Sequence, residues 1–144
     1  MTSTYFLNCI MGNVFGTQTT PALPTRFYLG LSSTEPQLDG TGVTEPTDSS
    51  YTRLELDTLT EPEDGIISND QDIIFPESVN DWSTLDAPLT HFVIFDALTG
   101  GHLLIADELD KPRAVQSDSQ VRFRAGGLEL SLVNLEDVEE VTTP

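Results

Sequence analysis

Four groups of residues in this 144-residue chain are of types that do chemistry. His91 and His102 are its histidines, and imidazole is a common metal ligand and proton carrier. Asn69-Asp70-Gln71-Asp72 offers side-chain oxygens at alternate positions, and Asp39-Gly40-Thr41-Gly42 is a second oxygen-rich stretch; calcium is held by oxygens of this kind. The 24 Asp and Glu residues could supply the carboxylate pair of a glycoside hydrolase. Trp82, the single tryptophan, could stack on a sugar ring.

Each group also has a plainer reading. The histidines fall at the outer end and beside the turn of one hairpin, where a tight reversal cannot bring both to one metal with a matching carboxylate. Neither acidic stretch follows the helix–loop–helix calcium pattern. A hydrolase needs two carboxyls at a fixed separation, and nothing singles out a pair. No serine sits in a nucleophile elbow, and no zinc or phosphate-loop spacing occurs. No catalytic, metal or cofactor-binding residue is therefore assigned, and the chain does not read as an enzyme. A lone tryptophan in a β-sandwich more often plugs the core, so a carbohydrate-binding loop using Asp39, Thr41 and Trp82 stands as the alternative. Cys9, the single cysteine, cannot form an internal disulfide and reads as a small buried apolar residue.

Charge narrows the partners. Against 24 acidic residues stand 6 basic ones, a formal net charge of −18. Such a chain repels phosphate backbones, which argues against nucleic acid as a partner. The acidity suits either display in many copies or plain solubility and salt adaptation. No apolar run reaches the ~20 residues of a membrane span. The first basic residue is Arg26, so the start of the chain lacks the basic-then-apolar pattern of a signal peptide.

The elements that must carry these residues centre on His91 to Asp107. Two apolar runs flank Leu98-Thr99-Gly100-Gly101, and paired glycines permit a tight reversal. This predicts a β-hairpin buried on both faces, a core pair with no edge. Before it, Ser3 or Thr4 can cap a helix over Tyr5 to Phe15, with Phe6, Ile10 and Val14 at four-residue spacing and Gly16 at its end. Thr17 to Pro24 reads as a connector. Arg26 to Ser32 alternates as a half-buried strand, and Glu35 to Ser50 is a long surface loop.

Tyr51 to Asp57 alternates again, with Thr52, Leu54 and Leu56 facing in. A turn at Glu61 to Gly65 precedes Ile66-Ile67, and Asp72 to Pro76 is a short strand closed by its proline. Glu77 to Pro88 is a polar linker. Asp110-Lys111-Pro112 predicts a turn leading to a brief strand at Arg113 to Gln116. Val121, Phe123 and Ala125 alternate toward Gly126-Gly127, and Leu128, Leu130 and Leu132 alternate away from it. This predicts a second hairpin in which Arg122 or Arg124 pairs with Glu129. Short strands separated by turns, after one short helix, make an all-β fold: an antiparallel, jelly-roll-like β-sandwich.

Several motifs occur in a recognisable order. Phe27-Tyr28-Leu29-Gly30-Leu31-Ser32-Ser33-Thr34-Glu35-Pro36 is followed by Asp39-Gly40-Thr41-Gly42-Val43-Thr44-Glu45-Pro46 and by Tyr51-Thr52-Arg53. Then come Ile73-Ile74-Phe75-Pro76, Trp82, His91 to Ala97 with Gly100 to Leu104, and Ala125 to Leu132. Together, over roughly residues 5 to 133, they resemble a family of small tailed-bacteriophage proteins usually labelled tail fibre proteins. One departure is Ala106-Asp107-Glu108, where family members commonly have a neutral aromatic or glycine stretch.

The resemblance implies a virion structural protein with no catalytic residues, joined to other capsid or tail proteins. It also implies a homo-oligomer, with a trimer favoured. Lacking heptads and repeats, the chain suits a knob, a fibre base or a head decoration on the outside of a particle assembled from host-made protein. Three parts follow: an N-terminal helix or attachment segment at 1–20, a β-sandwich at 21–134 and an acidic tail at 135–144. Tyr5, Phe6, Ile10, Met11 and Phe15 are the candidate attachment or oligomer contact; the alternative is that they cap the open end of the sandwich.

Overall fold

A computed structural model describes residues 1–16 and 21–132. The expected acidic tail and part of the connector lie outside them. Among the described residues are one helix, α1 (Thr4–Phe15), and eight strands: β1 (Tyr28–Ser32), β2 (Leu54–Glu55), β3 (Ile67–Ser68), β4 (Ile73–Ile74), β5 (Leu89–Phe95), β6 (Leu103–Arg113), β7 (Arg122–Phe123) and β8 (Glu129–Leu130). The all-β, antiparallel expectation with one short N-terminal helix holds.

The apolar run Leu89–Phe95 is the middle of the molecule. β5 pairs with β1 on one side and with β6 on the other, in a four-stranded sheet of order β2-β1-β5-β6. Alternation sends Phe92 and Ile94 to one face and Val93 and Phe95 to the other, and both sets are buried. In β6, Ile94 pairs with Ile105 and Phe95 with Leu103, so Leu104 is one residue too many. This bulge lets the run Leu103-Leu104-Ile105-Ala106 feed both cores.

β6 is nonetheless an edge strand, contrary to the expected interior pair. Part of its outer edge is covered by the first residues of the chain: Ala106 N–H donates to the Met1 carbonyl at 2.9 Å, and Ser3 N–H to the Leu104 carbonyl at 2.9 Å. Further along, the strand carries Asp107, Glu108, Asp110 and Pro112, residues that discourage pairing with another chain. Asp110-Lys111-Pro112 does not end the strand as expected. The ladder instead jumps from His91 opposite Glu108 to Leu89 opposite Arg113, and the run bulges out between.

The second hairpin does not form. β7 pairs with β4 and β8 with β3, so the ladders nest: β5–β6 inside β4–β7 inside β3–β8. This is the pairing of one long hairpin folded over, as in a jelly roll. The physical reason lies at Asn69, which is 1% exposed. Its amide donates to the carbonyls of Gln71 (2.8 Å) and Arg124 (2.9 Å) and its oxygen accepts from Leu128 N–H (2.9 Å). Residues 124–128 wrap around Asn69; Gly127 N–H closes a turn on the Arg124 carbonyl at 2.7 Å, but the strands on either side pair with β4 and β3, so no Arg122–Glu129 or Arg124–Glu129 cross-strand pair arises.

Candidate functional site

Helix α1 is built from its ends. The Ser3 hydroxyl accepts from Phe6 N–H at 3.1 Å as N-cap, and Gly16 closes the helix in the left-handed conformation. The buried face is set by Cys9, with its small side chain, and Gly12, with none, which permit close approach, and Tyr5, Phe6 and Ile10 are half-buried beside them. The Tyr5 ring stacks on His102, with centroids 3.9 Å apart and planes 4° from parallel. His102 is held in turn by Asp96, whose carboxylate meets its Nδ1 at 3.0 Å and its backbone N–H at 2.7 Å.

The five residues expected at an attachment contact therefore divide. Tyr5, Phe6 and Ile10 pack inward, while Met11 (56%) and Phe15 (73%) are exposed. Leu7 and Val14 join them on the outside. The four-residue stripe placed Val14 with Phe6 and Ile10; the buried stripe instead runs through Tyr5, Cys9 and Gly12.

A second cluster escaped sequence reasoning. Alternation pointed Thr52, Leu54 and Leu56 inward, yet Arg53 is 7% exposed and Thr52 is on the surface. The Arg53 guanidinium lies 3.7 Å from the Phe95 ring centroid. It holds Glu45 through Nε (2.9 Å) and Nη2 (2.8 Å), and its Nη1 donates to the carbonyls of Ala97 (2.7 Å) and Gly100 (2.9 Å). The β5–β6 connection is therefore no tight reversal but a loop from Asp96 to His102 gathered around a cation. Tyr51 completes the group, donating to Glu45 at 2.6 Å and accepting from Leu31 N–H at 3.0 Å, beyond the point where β2 stops pairing with β1.

Only glycine fits opposite: a Cβ on Gly30 would lie 2.7 Å from the Tyr51 hydroxyl and 2.8 Å from the Glu45 carboxylate. Burial pushes the Glu45 pKa up, but Arg53 and the Tyr51 hydroxyl outweigh it and hold the carboxyl below its ordinary range. Burial, then the bond to Glu45, raises the Tyr51 phenol well above its ordinary value and keeps it a donor. The single Tyr-x-Arg, Tyr51-Thr52-Arg53, together with the glycine inside the strand Tyr28–Ser32 was the available signal.

The remaining candidates sit apart. Asp39 accepts from the backbone (3.0 Å) and hydroxyl (2.6 Å) of Thr41, which hold its pKa down, so the pair shapes its own exposed turn. Trp82 is 6% exposed, edge-on to Tyr51 at 5.3 Å and to Phe75 at 6.2 Å, with its indole N–H on the Ser50 hydroxyl at 2.8 Å. Ser50 donates to Asp48, and that bond, with Asn80, holds the Asp48 pKa at about 2. Asn69 spends its polar atoms on the backbone as described above, and Asp72 caps Ala125 N–H at 2.9 Å. His91 meets the Thr90 hydroxyl at 2.8 Å. Among the described residues no three His, Cys, Asp or Glu side chains converge as metal ligands would.

The exposed apolar face of α1 and the loops are open to contact with other molecules. A comparison with curated proteins finds no match. The family model described as podophage GP4 fiber I protein gp80 matches residues 1–131, which makes this a podophage fibre protein, a structural component of the virion. The chain belongs to the podophage GP4 fiber I protein gp80 family.

Proposed function

We propose that the chain is a non-enzymatic accessory module on the outside of the phage particle, held by protein–protein contacts, and that copies meet through the outer face of α1. The carrying observation is electrostatic. Residues 1–25 contain no charged side chain in a chain of formal charge −18, and their helix exposes Leu7, Met11, Val14 and Phe15. Two copies approaching by any acidic surface repel, whereas this face offers apolar area without that cost. Closed symmetry around such a helix gives a small ring of identical chains, and three is the number the fibre resemblance implies. The acidic loops then face solvent or the host. A carbohydrate-receptor role draws no support from Trp82, whose ring is enclosed.

Sedimentation equilibrium tests the reading. The wild-type chain is expected to associate at micromolar concentration, and Met11→Glu with Phe15→Glu to give a folded monomer. Both side chains are on the surface, so the variant keeps its circular dichroism and its melt. A wild-type monomer, or a double variant that associates as before, overturns it.

A further inference from the structure

Beside the inner face of α1 the sandwich is open. A groove of about 300 Å³ runs between Phe6 and Ile10 of the helix and Ile67 and Leu130 of the β3–β8 ladder, floored by Ile94 and Leu104. Its lining is apolar almost throughout, and Leu132 stands at its mouth 49% exposed. Acidic residues lie on two sides of it. Pro62 and Gly65 on one wall belong to the turn Glu61-Pro62-Glu63-Asp64-Gly65, whose three carboxylates are exposed. Past Ile105, Leu130 and Leu132 the groove continues into a polar end bounded by Asp107 and Glu129. The basic residue adjoining a lining position in sequence is Arg26, next to Phe27.

We infer that this groove receives a segment of another protein of the same particle, one carrying two or three apolar side chains flanked by lysine or arginine. An apolar trough rimmed by carboxylates selects that combination. The apolar groups supply affinity by leaving water, and the flanking cations pair with the carboxylates, an attraction that a neutral segment lacks and an acidic one turns into repulsion. The same argument disfavours the two other occupants. A second copy's exposed apolar face lies in residues 1–25, which carry no Lys or Arg to meet the carboxylates, and residues 133–144 carry four acids and no base. This inference rests on the reading of the chain as an attached particle component, and it assigns the attachment to a surface other than the outer face of α1.

The test uses overlapping synthetic peptides that tile the other structural proteins of the particle, probed with the intact chain. The expected binders combine aliphatic or aromatic residues with a net positive charge. For the best binder, replacing its Lys and Arg by Glu is expected to weaken binding at least tenfold, and binding should fall as salt is raised. On the chain, Leu132→Glu should block binding. The surface triple variant Glu61→Lys, Glu63→Lys, Glu129→Lys should lose the basic peptide and gain its glutamate counterpart.

No binder, or binders without basic enrichment and without salt dependence, overturns the proposal. If removal of residues 133–144 raises the affinity of both peptide forms equally, the groove belongs to the chain's own C-terminal segment and the proposal fails. If Leu132→Glu reduces the sedimenting mass, the occupant is a second copy and the proposal fails likewise. A groove that binds nothing in a chain still associating through α1 sinks this inference and leaves the assembly reading intact.

Discussion

On one side of the central sheet, Leu29, Leu31, Phe92, Ile94 and Leu104 meet Ile73, Phe75 and Leu128, brought by strands and their extensions. On the other side, Val93, Phe95, Leu103 and Ala106 meet Val43 and a guanidinium, under a loop with almost no regular structure. The first side is held by area removed from water. The second buries far less apolar surface, so its cover is fixed by directed bonds in which Arg53, Glu45 and Tyr51 occupy carbonyls and amides that no ladder serves. One sheet thus carries two kinds of cohesion, the first tolerant of similar shapes and the second intolerant of any missing partner.

Three experiments sharpen that contrast. Phe75→Ala on the apolar side and Arg53→Met on the polar side should each cost about 3–5 kcal/mol, the first as a cavity and the second by stranding Glu45. Chemical denaturation would show both, but only the polar-side loss should depend on pH. Glu45 has a depressed folded pKa, so its pairing stabilises above the ordinary carboxylate value near ~4 and is lost as pH falls through the lower folded value. The stability gap between wild type and Arg53→Met should therefore narrow in acid, while the gap to Phe75→Ala stays constant. Equal narrowing would erase the distinction.

Gly30→Ala comes next. Its methyl group must displace the Tyr51 hydroxyl and Glu45, which costs about 1–3 kcal/mol. Combined with Arg53→Met it should cost less than the sum, because the network it disturbs is already broken. Strict additivity in the double mutant would show that glycine serves the strand and not the cluster. The smallest effect belongs to Asp48. Its carboxyl is held at about 2, so the support it gives Ser50 and Trp82 persists above the ordinary carboxylate range and disappears as pH falls toward that value. Trp82 emission should shift with a midpoint near about 2 in the wild type, and the step should be absent in Asp48→Asn. A midpoint near the usual ~4 would show Asp48 to be an ordinary surface acid.

What could be read in advance followed local physics. The helix with its caps at Ser3 and Gly16, the position of β1 and the unbroken apolar run of β5–β6 were visible, although β1 is buried on both faces where its alternation predicts one, and the helix buries Cys9 in place of Val14. Partnering was not. The Val121–Leu132 region has good alternation and a Gly-Gly turn, and local rules can only propose that it pairs with itself. What overrides them is Asn69, a residue distant in sequence that reads as solvent-exposed. Arg53 was hidden for a similar reason: charge in an alternating strand signals an outward residue until the loop carbonyls of Ala97 and Gly100 are placed beside it. Trp82 as a core plug was one of two open readings, and packing against Tyr51 and Phe75 decides its position.

The nested ladders also dictate an order of events as the chain folds. Phe95 and Leu103 are separated by one short loop, so β5–β6 closes at little entropic cost, whereas Ile73 waits for Phe123 and Ile67 for Leu130. The expected route is a zipper that starts at the central hairpin and ends at the outermost ladder. A substitution such as Val93→Ala should slow folding, and one such as Leu130→Ala should chiefly speed unfolding, in stopped-flow measurements. The last ladder to close is also a wall of the apolar groove. The site for a partner would then be complete only when the rest of the chain has folded, so unfinished copies present nothing for the particle to take up.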